Sequence, residues 1–187
     1  MRLFFNRAIR ILLFTNALVM FGAAMLAPIY ALFVERVGGS LLDASLTGGV
    51  FALASGITTL AAGRYADRMK EKELIVVFGY FVMGMGYLLY TQADSIWYLL
   101  AVQVLIGFAE AFYAPAFDAL FSIHLCKKKA GREWGTWEGF HYFSVGFGSI
   151  LGGLIVVNFG FDVMFVLMAV LCFASSVYIY MLPRKVL

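Results

Sequence analysis

Six long apolar runs, joined by connections of only a few residues, take up nearly all of this 187-residue chain. They lie at about Ile9 to Val34, Ala44 to Ala66, Leu74 to Thr91, Ile96 to Ile123, Gly135 to Val157 and Phe161 to Leu182. A bilayer core of about 30 Å takes roughly 20 helical residues to cross, and each run is close to that length or beyond it. With no water inside the bilayer, a lone segment satisfies its backbone groups only as a helix. The composition agrees: 63% of residues are hydrophobic and 13% charged, against roughly half and a quarter in soluble domains. The expected fold is all-α, a polytopic membrane protein with six transmembrane helices forming one domain over residues 1–187. The breaks carry turn chemistry or charge, at Gly38-Gly39-Ser40, Asp67 to Glu73, Gln92 to Ser95, Lys127 to Glu133 and Asn158 to Asp162.

Basic residues set the expected orientation. One set of alternate connections holds Arg2, Arg7 and Arg10, then Arg64, Arg68, Lys70 and Lys72, then Lys127, Lys128, Lys129 and Arg132, then Arg184 and Lys185. The other set holds Arg36 alone of the 14 Lys and Arg. Cytoplasmic loops retain Lys and Arg, so both termini are expected in the cytoplasm and the protein in the plasma (inner) membrane. The formal charge of +3 is scattered among these short clusters, which argues against a nucleic-acid partner. Arg2 to Arg10 looks like the basic start of a signal peptide, but the apolar stretch that follows exceeds the 7–15 residues of an h-region and is read as a retained span.

No enzyme constellation emerges. The chain has no phosphate loop ending in Gly-Lys-Ser/Thr, no His-Glu-x-x-His and no cysteine pair at metal spacing. Cys126 and Cys172 are read as isolated free thiols. No metal or cofactor is expected, and His124 and His141 are too separated to argue a metal site.

Charge and amide groups inside the spans stand out, because an ionised side chain at a helix centre costs a few kcal/mol on insertion scales. Glu110 falls near the middle of the fourth run. Gln103, Gly107, Glu110, Ala114 and Asp118 lie within about 80° on a helix turning 100° per residue, one polar stripe expected to face a cavity. In the fifth run Glu138 and His141 are three residues apart and can face the same way, either as a proton-relaying pair or as an anchor for the helix end. Asn16 in the first run reads as helix-to-helix glue or as a ligand contact. Two stripes of small residues also appear, Ser45, Gly49, Ala52, Gly56, Thr59 and Gly63 in the second run, and Gly148, Ser149, Gly152 and Gly153 in the fifth. Small residues let backbones approach where lipid supplies no hydrophobic drive, within one bundle or between two.

The end of the second run, Gly63-Arg64-Tyr65-Ala66-Asp67-Arg68-Met69-Lys70-Glu71-Lys72, resembles the signature between the second and third helices of the major facilitator superfamily, G-x-L-A-D-R-x-G-R-K. Gly63, Ala66, Asp67, Arg68 and Lys72 match, whereas Tyr65, Lys70 and Glu71 depart. The fourth run, from Gln103 through Gly107 to Ala114-Pro115-Ala116, is similar to that family's fourth helix, with Gln103 where many members have Arg. Gly148-Ser149-Ile150-Leu151-Gly152-Gly153, followed by Asn158-Phe159-Gly160-Phe161 and Phe165, resembles G-P-x-x-G-G and F-G-W…F, with Ser149 in place of the Pro.

The resemblance implies half of a twelve-helix transporter whose halves are related by an axis along the membrane normal, with substrate bound between them. The expected function is secondary active transport of a small solute by a parallel homodimer rocking about a shared cavity. Glu110 would bind a proton or a polar or cationic substrate, with Gln103, Asn16, Asp118, Glu138 and His141 as further candidates. Gly63, Asp67 and Arg68 would form a cytoplasmic gate, Asp67 meeting the region Glu133 to Gly135 of the other half, while Gly148, Gly152 and Gly153 would serve helix packing. The rival expectations are a non-transporting module that binds a partner protein, and one half of a split or truncated transporter.

Overall fold

A computed structural model describes residues 6–183 and 186–187; Arg2, Arg184 and Lys185 of the charge count lie outside them. The described residues form the helices α1 (Arg7–Leu26), α2 (Tyr30–Arg36), α3 (Leu41–Arg68), α4 (Lys72–Tyr90), α5 (Ile96–His124), α6 (Ala130–Phe159) and α7 (Phe161–Tyr180). Among the described residues six segments are long and apolar enough to cross a membrane, the first being α1 and α2 together, Arg7–Arg36. A single 3-10 turn, Ala27–Ile29, joins these two where Pro28 lacks the backbone N–H that an α-helical hydrogen bond needs.

Local chemistry fixes the helix ends. Ser40 and Asp43 form a reciprocal cap on α3: Asp43 N donates to Ser40 Oγ at 3.3 Å and Ser40 N to Asp43 Oδ2 at 2.8 Å. Ser95 Oγ accepts from Tyr98 N at the start of α5, at 3.4 Å. Gly160 takes φ 84, a left-handed conformation that lets α7 start immediately after α6. The α6 helix begins at Ala130 rather than near Gly135, because Arg132 and Glu133 interrupt the apolar run without interrupting the helical hydrogen bonds.

The helices pack as an arc in the order α3, α5, α4, α7, α1, α6. Its middle members are well covered, and the core between them contains Tyr80, Met83, Phe121, Met164, Phe165 and Met168, all essentially inaccessible. Phe33 of α2 seals one end, its ring edge-on to Tyr90 and Phe165 at 5.5 and 4.7 Å. The two end members are different. Only Thr47, Ala62 and Ala66 of α3, and Glu133, Ser144, Gly148 and Gly152 of α6, are buried. On α3, Leu53, Ile57 and Leu60 are 69–78% exposed.

The two small-residue stripes therefore part company. On α3, a Cβ added at Gly49, Gly56 or Gly63 would meet no atom within 4 Å. On α6, Gly148 and Gly152 press against α1, where the Phe21 and Met25 carbonyls leave no room for a methyl group, and Ser149 Oγ donates to the Ala24 carbonyl at 3.3 Å. Gly153, expected with them as a packing residue, has nothing within 4 Å of its missing Cβ. It lies about 100° around the helix from Gly152 and so faces away from α1.

Candidate functional site

The concave side of the arc holds a cavity of about 260 Å³, lined by Glu110 and Gln103 of α5, Tyr30 of α2, Tyr87 and Tyr90 of α4, and Gly48 and Phe51 of α3, among others. Gln103 and Glu110 stand seven residues apart, two helical turns, and share one face of α5. Between them Gly107 serves packing: an added Cβ would lie 2.8 Å from the Phe51 carbonyl, and Ser55 Oγ of α3 donates to the Gly107 carbonyl at 3.2 Å. That close approach of α3 to α5 helps close one wall of the cavity. Tyr30 is held by donating its hydroxyl to Thr47 Oγ1 at 2.8 Å, and Thr47 donates in turn to the Asp43 carbonyl at 2.8 Å.

Glu110 also borders a second space of about 210 Å³, shared with Met20, Met83, Tyr113 and His141. This brings α6 to the site. His141 Nδ1 lies 3.1 Å from Met20 Sδ, and Asn16 Nδ2 donates to the same sulfur at 3.4 Å. Tyr80 Oη donates to Asn16 Oδ1 at 3.1 Å. A polar chain thus runs from Tyr80 on α4 through Asn16 and Met20 on α1 to His141 on α6. Nothing in the sequence pairs Tyr80 with Asn16, and a thioether shared by an amide and an imidazole has no spacing signature.

The other expected site residues scatter. Asp118, two turns beyond Glu110, is exposed and lines neither space, so the polar stripe of α5 enters the cavity only through Gln103 and Glu110. Glu138 is exposed, whereas His141 is partly buried, stacked on Trp137 at 6.1 Å and turned toward Met20. Asp67 and Arg68 are exposed at the end of the bundle that carries the basic connections. Glu133 is turned inward, its Oε2 accepting from Cys126 N at 2.9 Å, which leaves Gly131 and Gly135 as exposed residues at the start of α6. Cys126 and Cys172 are both free, the first exposed and the second buried.

The arc thus carries a largely apolar cavity bearing Glu110 and Gln103 on its concave side, between two sparsely covered end helices. The Major Facilitator Superfamily profile matches residues 12–186. The chain belongs to that family. Among its relatives, an uncharacterised MFS-type transporter of Methanocaldococcus jannaschii (MJ1560) is 25% identical over 167 residues, covering 89% of this chain and 43% of the relative. The multidrug resistance protein MdtG of Proteus mirabilis is 24% identical over 180 residues, 92% of this chain and 44% of that protein. The crystal structure of the POT family transporter PepTSo superposes with a TM-score of 0.78 at 19% identity, covering 97% of this chain and 38% of that one. The chain thus spans less than half the length of the relatives it matches, and the superposition establishes a shared six-helix fold.

Proposed function

We propose that this six-helix unit is one half of a secondary transporter for a small solute, completed by a second six-helix bundle that lies parallel to it and closes the cavity at Glu110. The observation that carries this reading is the pairing of a carboxylate-bearing concave cavity with an open face on each end helix, at Gly49, Gly56 and Gly63 of α3 and at Gly139, Gly146 and Gly153 of α6, where an added Cβ would meet nothing within 4 Å among the described residues. The second bundle is a second copy of this chain. Both copies follow the same distribution of basic residues, so a pair related by an axis along the membrane normal is parallel, with termini in the cytoplasm and the protein in the inner membrane.

In this assembly Glu110 of each copy faces the shared cavity and binds a proton or a polar or cationic solute, while Gln103 and Tyr30 supply hydrogen bonds. The two bundles rock about the cavity. On the basic side, Asp67 of one copy meets the exposed start of the partner's α6, where a carboxylate is stabilised near a helix N-terminus by a few tenths to about 1 kcal/mol. The inward turn of Glu133 favours that contact by keeping a second carboxylate off the surface. The chain's share of its relatives' length, 43–44%, favours a second reading in which the remaining half of a longer or split transporter takes the partner's place.

The test is uptake into proteoliposomes under an imposed pH gradient, screened over small cations and polar solutes, for the chain and Glu110→Gln. Gradient-dependent uptake lost in the variant is expected. Equal uptake by both proteins removes Glu110 from the mechanism.

A further inference from the structure

The outer side of α1 carries a depression that neither the cavity nor the open faces explain. Arg7, Arg10, Ile11, Phe14 and Tyr178 line a pocket of about 300 Å³ at the basic end of the bundle. Phe14 also lines a groove of about 650 Å³ between α1 and α6, walled by Phe21, Phe140, Phe143 and Phe147 with Leu18. The two spaces share Phe14 as a common wall, which sets a basic pocket beside an aromatic trough. On α1 they follow one face, Arg7, Arg10, Phe14, Leu18 and Phe21, at helical spacing.

The trough is separate from the transport side. On a helix turning 100° per residue, Phe140, Phe143, Phe147 and Leu151 of α6 point about a third of a turn from the cavity residues His141 and Val145. They point about as far again from the open glycines Gly139, Gly146 and Gly153. The groove therefore belongs to the lipid-facing third of α6, away from the face offered to a second bundle. The groove runs onto the α1–α6 contact itself, where Gly148, next to Phe147, meets the Phe21 carbonyl.

We infer that this depression binds one anionic phospholipid, its phosphate held by Arg7 and Arg10 and an acyl chain lying in the trough between α1 and α6. Charge complementarity supports the headgroup assignment: among the described residues no carboxylate lines the basic pocket. Depth supports the chain. Arg7 to Phe21 spans about 21 Å at 1.5 Å per residue, close to half of a bilayer of 40–45 Å including headgroups, or one leaflet. Basic pockets between transmembrane helices are suited to anionic headgroups, and this one shares Phe14 with an apolar groove along the same face of α1.

The test is native mass spectrometry of the purified chain titrated with dioleoyl phosphatidylglycerol or dioleoyl phosphatidylcholine. The chain should prefer the anionic lipid about ten- to thirtyfold, as expected for two basic residues near the surface. Arg7→Gln/Arg10→Gln should abolish the preference, and Arg7→Lys/Arg10→Lys should largely keep it. Phe143→Ala/Phe147→Ala, two exposed positions, should weaken both lipids while leaving the preference. Equal binding of the two lipids by the parent chain overturns the inference, as does a preference that survives the Gln variant. Loss of lipid on adding millimolar inorganic phosphate would assign the arginines to free phosphate and overturn it too. The readout involves no transport, so it stands or falls separately from the function proposed above.

Discussion

Replacing Gly152 with alanine places a methyl group against the α1 backbone, where it would sit 2.6 Å from Met25 Cα and 2.7 Å from its carbonyl carbon, with the carbonyl oxygen closer still. These are backbone atoms and cannot swing aside, so α1 and α6 must separate. Overpacking of this kind costs about 1–3 kcal/mol, and the separation also strains the nearby hydrogen bond from Ser149 to the Ala24 carbonyl. Alanine recovers up to about 1 kcal/mol through helix propensity. Gly153→Ala provides an internal control, because it gains the same propensity and meets nothing within 4 Å. The propensity contributions cancel, so the two variants should differ by about 1–3 kcal/mol, with Gly152→Ala the less stable. Thermal unfolding in detergent, followed by tryptophan fluorescence, should show Gly152→Ala melting roughly 2–10 °C below Gly153→Ala. Equal midpoints would refute the reasoning, because they would mean that α1 and α6 do not pack through this glycine.

Tyr80→Phe leaves the buried Asn16 carbonyl without its donor and should cost about 1–2 kcal/mol. In a double-mutant cycle with Asn16→Leu the losses should be far from additive, and simple additivity would show that the two side chains do not interact. Glu133→Ala strips the carboxylate from the Cys126 amide; maleimide labelling of the exposed Cys126 should accelerate, while the buried Cys172 stays unlabelled in folded protein. An unchanged labelling rate would remove Glu133 as the anchor of that loop. Arg36→Gln breaks a 3.6 Å ion pair with Asp162 whose side chains are 51% and 61% exposed, so stability should fall by less than about 1 kcal/mol. A drop of several kcal/mol would contradict the view of this pair as a solvated clasp.

The helices were legible because bilayer-length apolar runs have few alternatives, and the departures have physical causes. Hydropathy cannot register the 3-10 turn at Pro28, since Ala27, Pro28 and Ile29 differ little in polarity from their neighbours. It starts α6 late because Arg132 and Glu133 are polar yet helical. Within the site, Glu110 could be singled out because a charge inside an apolar run is costly, and the helical repeat placed Gln103 on its face. The same repeat could not separate those two from Asp118, because burial along a helix changes with depth while periodicity does not. Nor could small-residue spacing tell Gly152 from Gly153, or an internal seam on α6 from an open one on α3. Those differences arise from which neighbour lies opposite, and that is set by the arc as a whole. Tyr30, Tyr80 and Met20 carry no sequence signal, because tyrosine and methionine are ordinary in apolar helices until a polar partner is brought to them.

Pairing of two bundles across α3 and α6 is the claim on which the transport reading depends, and disulfide crosslinking between differently tagged copies tests it most directly. Gly56→Cys on α3 and Gly146→Cys on α6 occupy the two open faces, about 22 and 20 Å from the Arg36 end of their helices at 1.5 Å per residue. In a Cys126→Ser background, oxidation of membranes containing one variant of each kind should give a mixed dimer. Monomers alone, with both thiols still open to a membrane-permeant reagent, would contradict self-pairing and leave the cavity at Glu110 to be closed by a different partner.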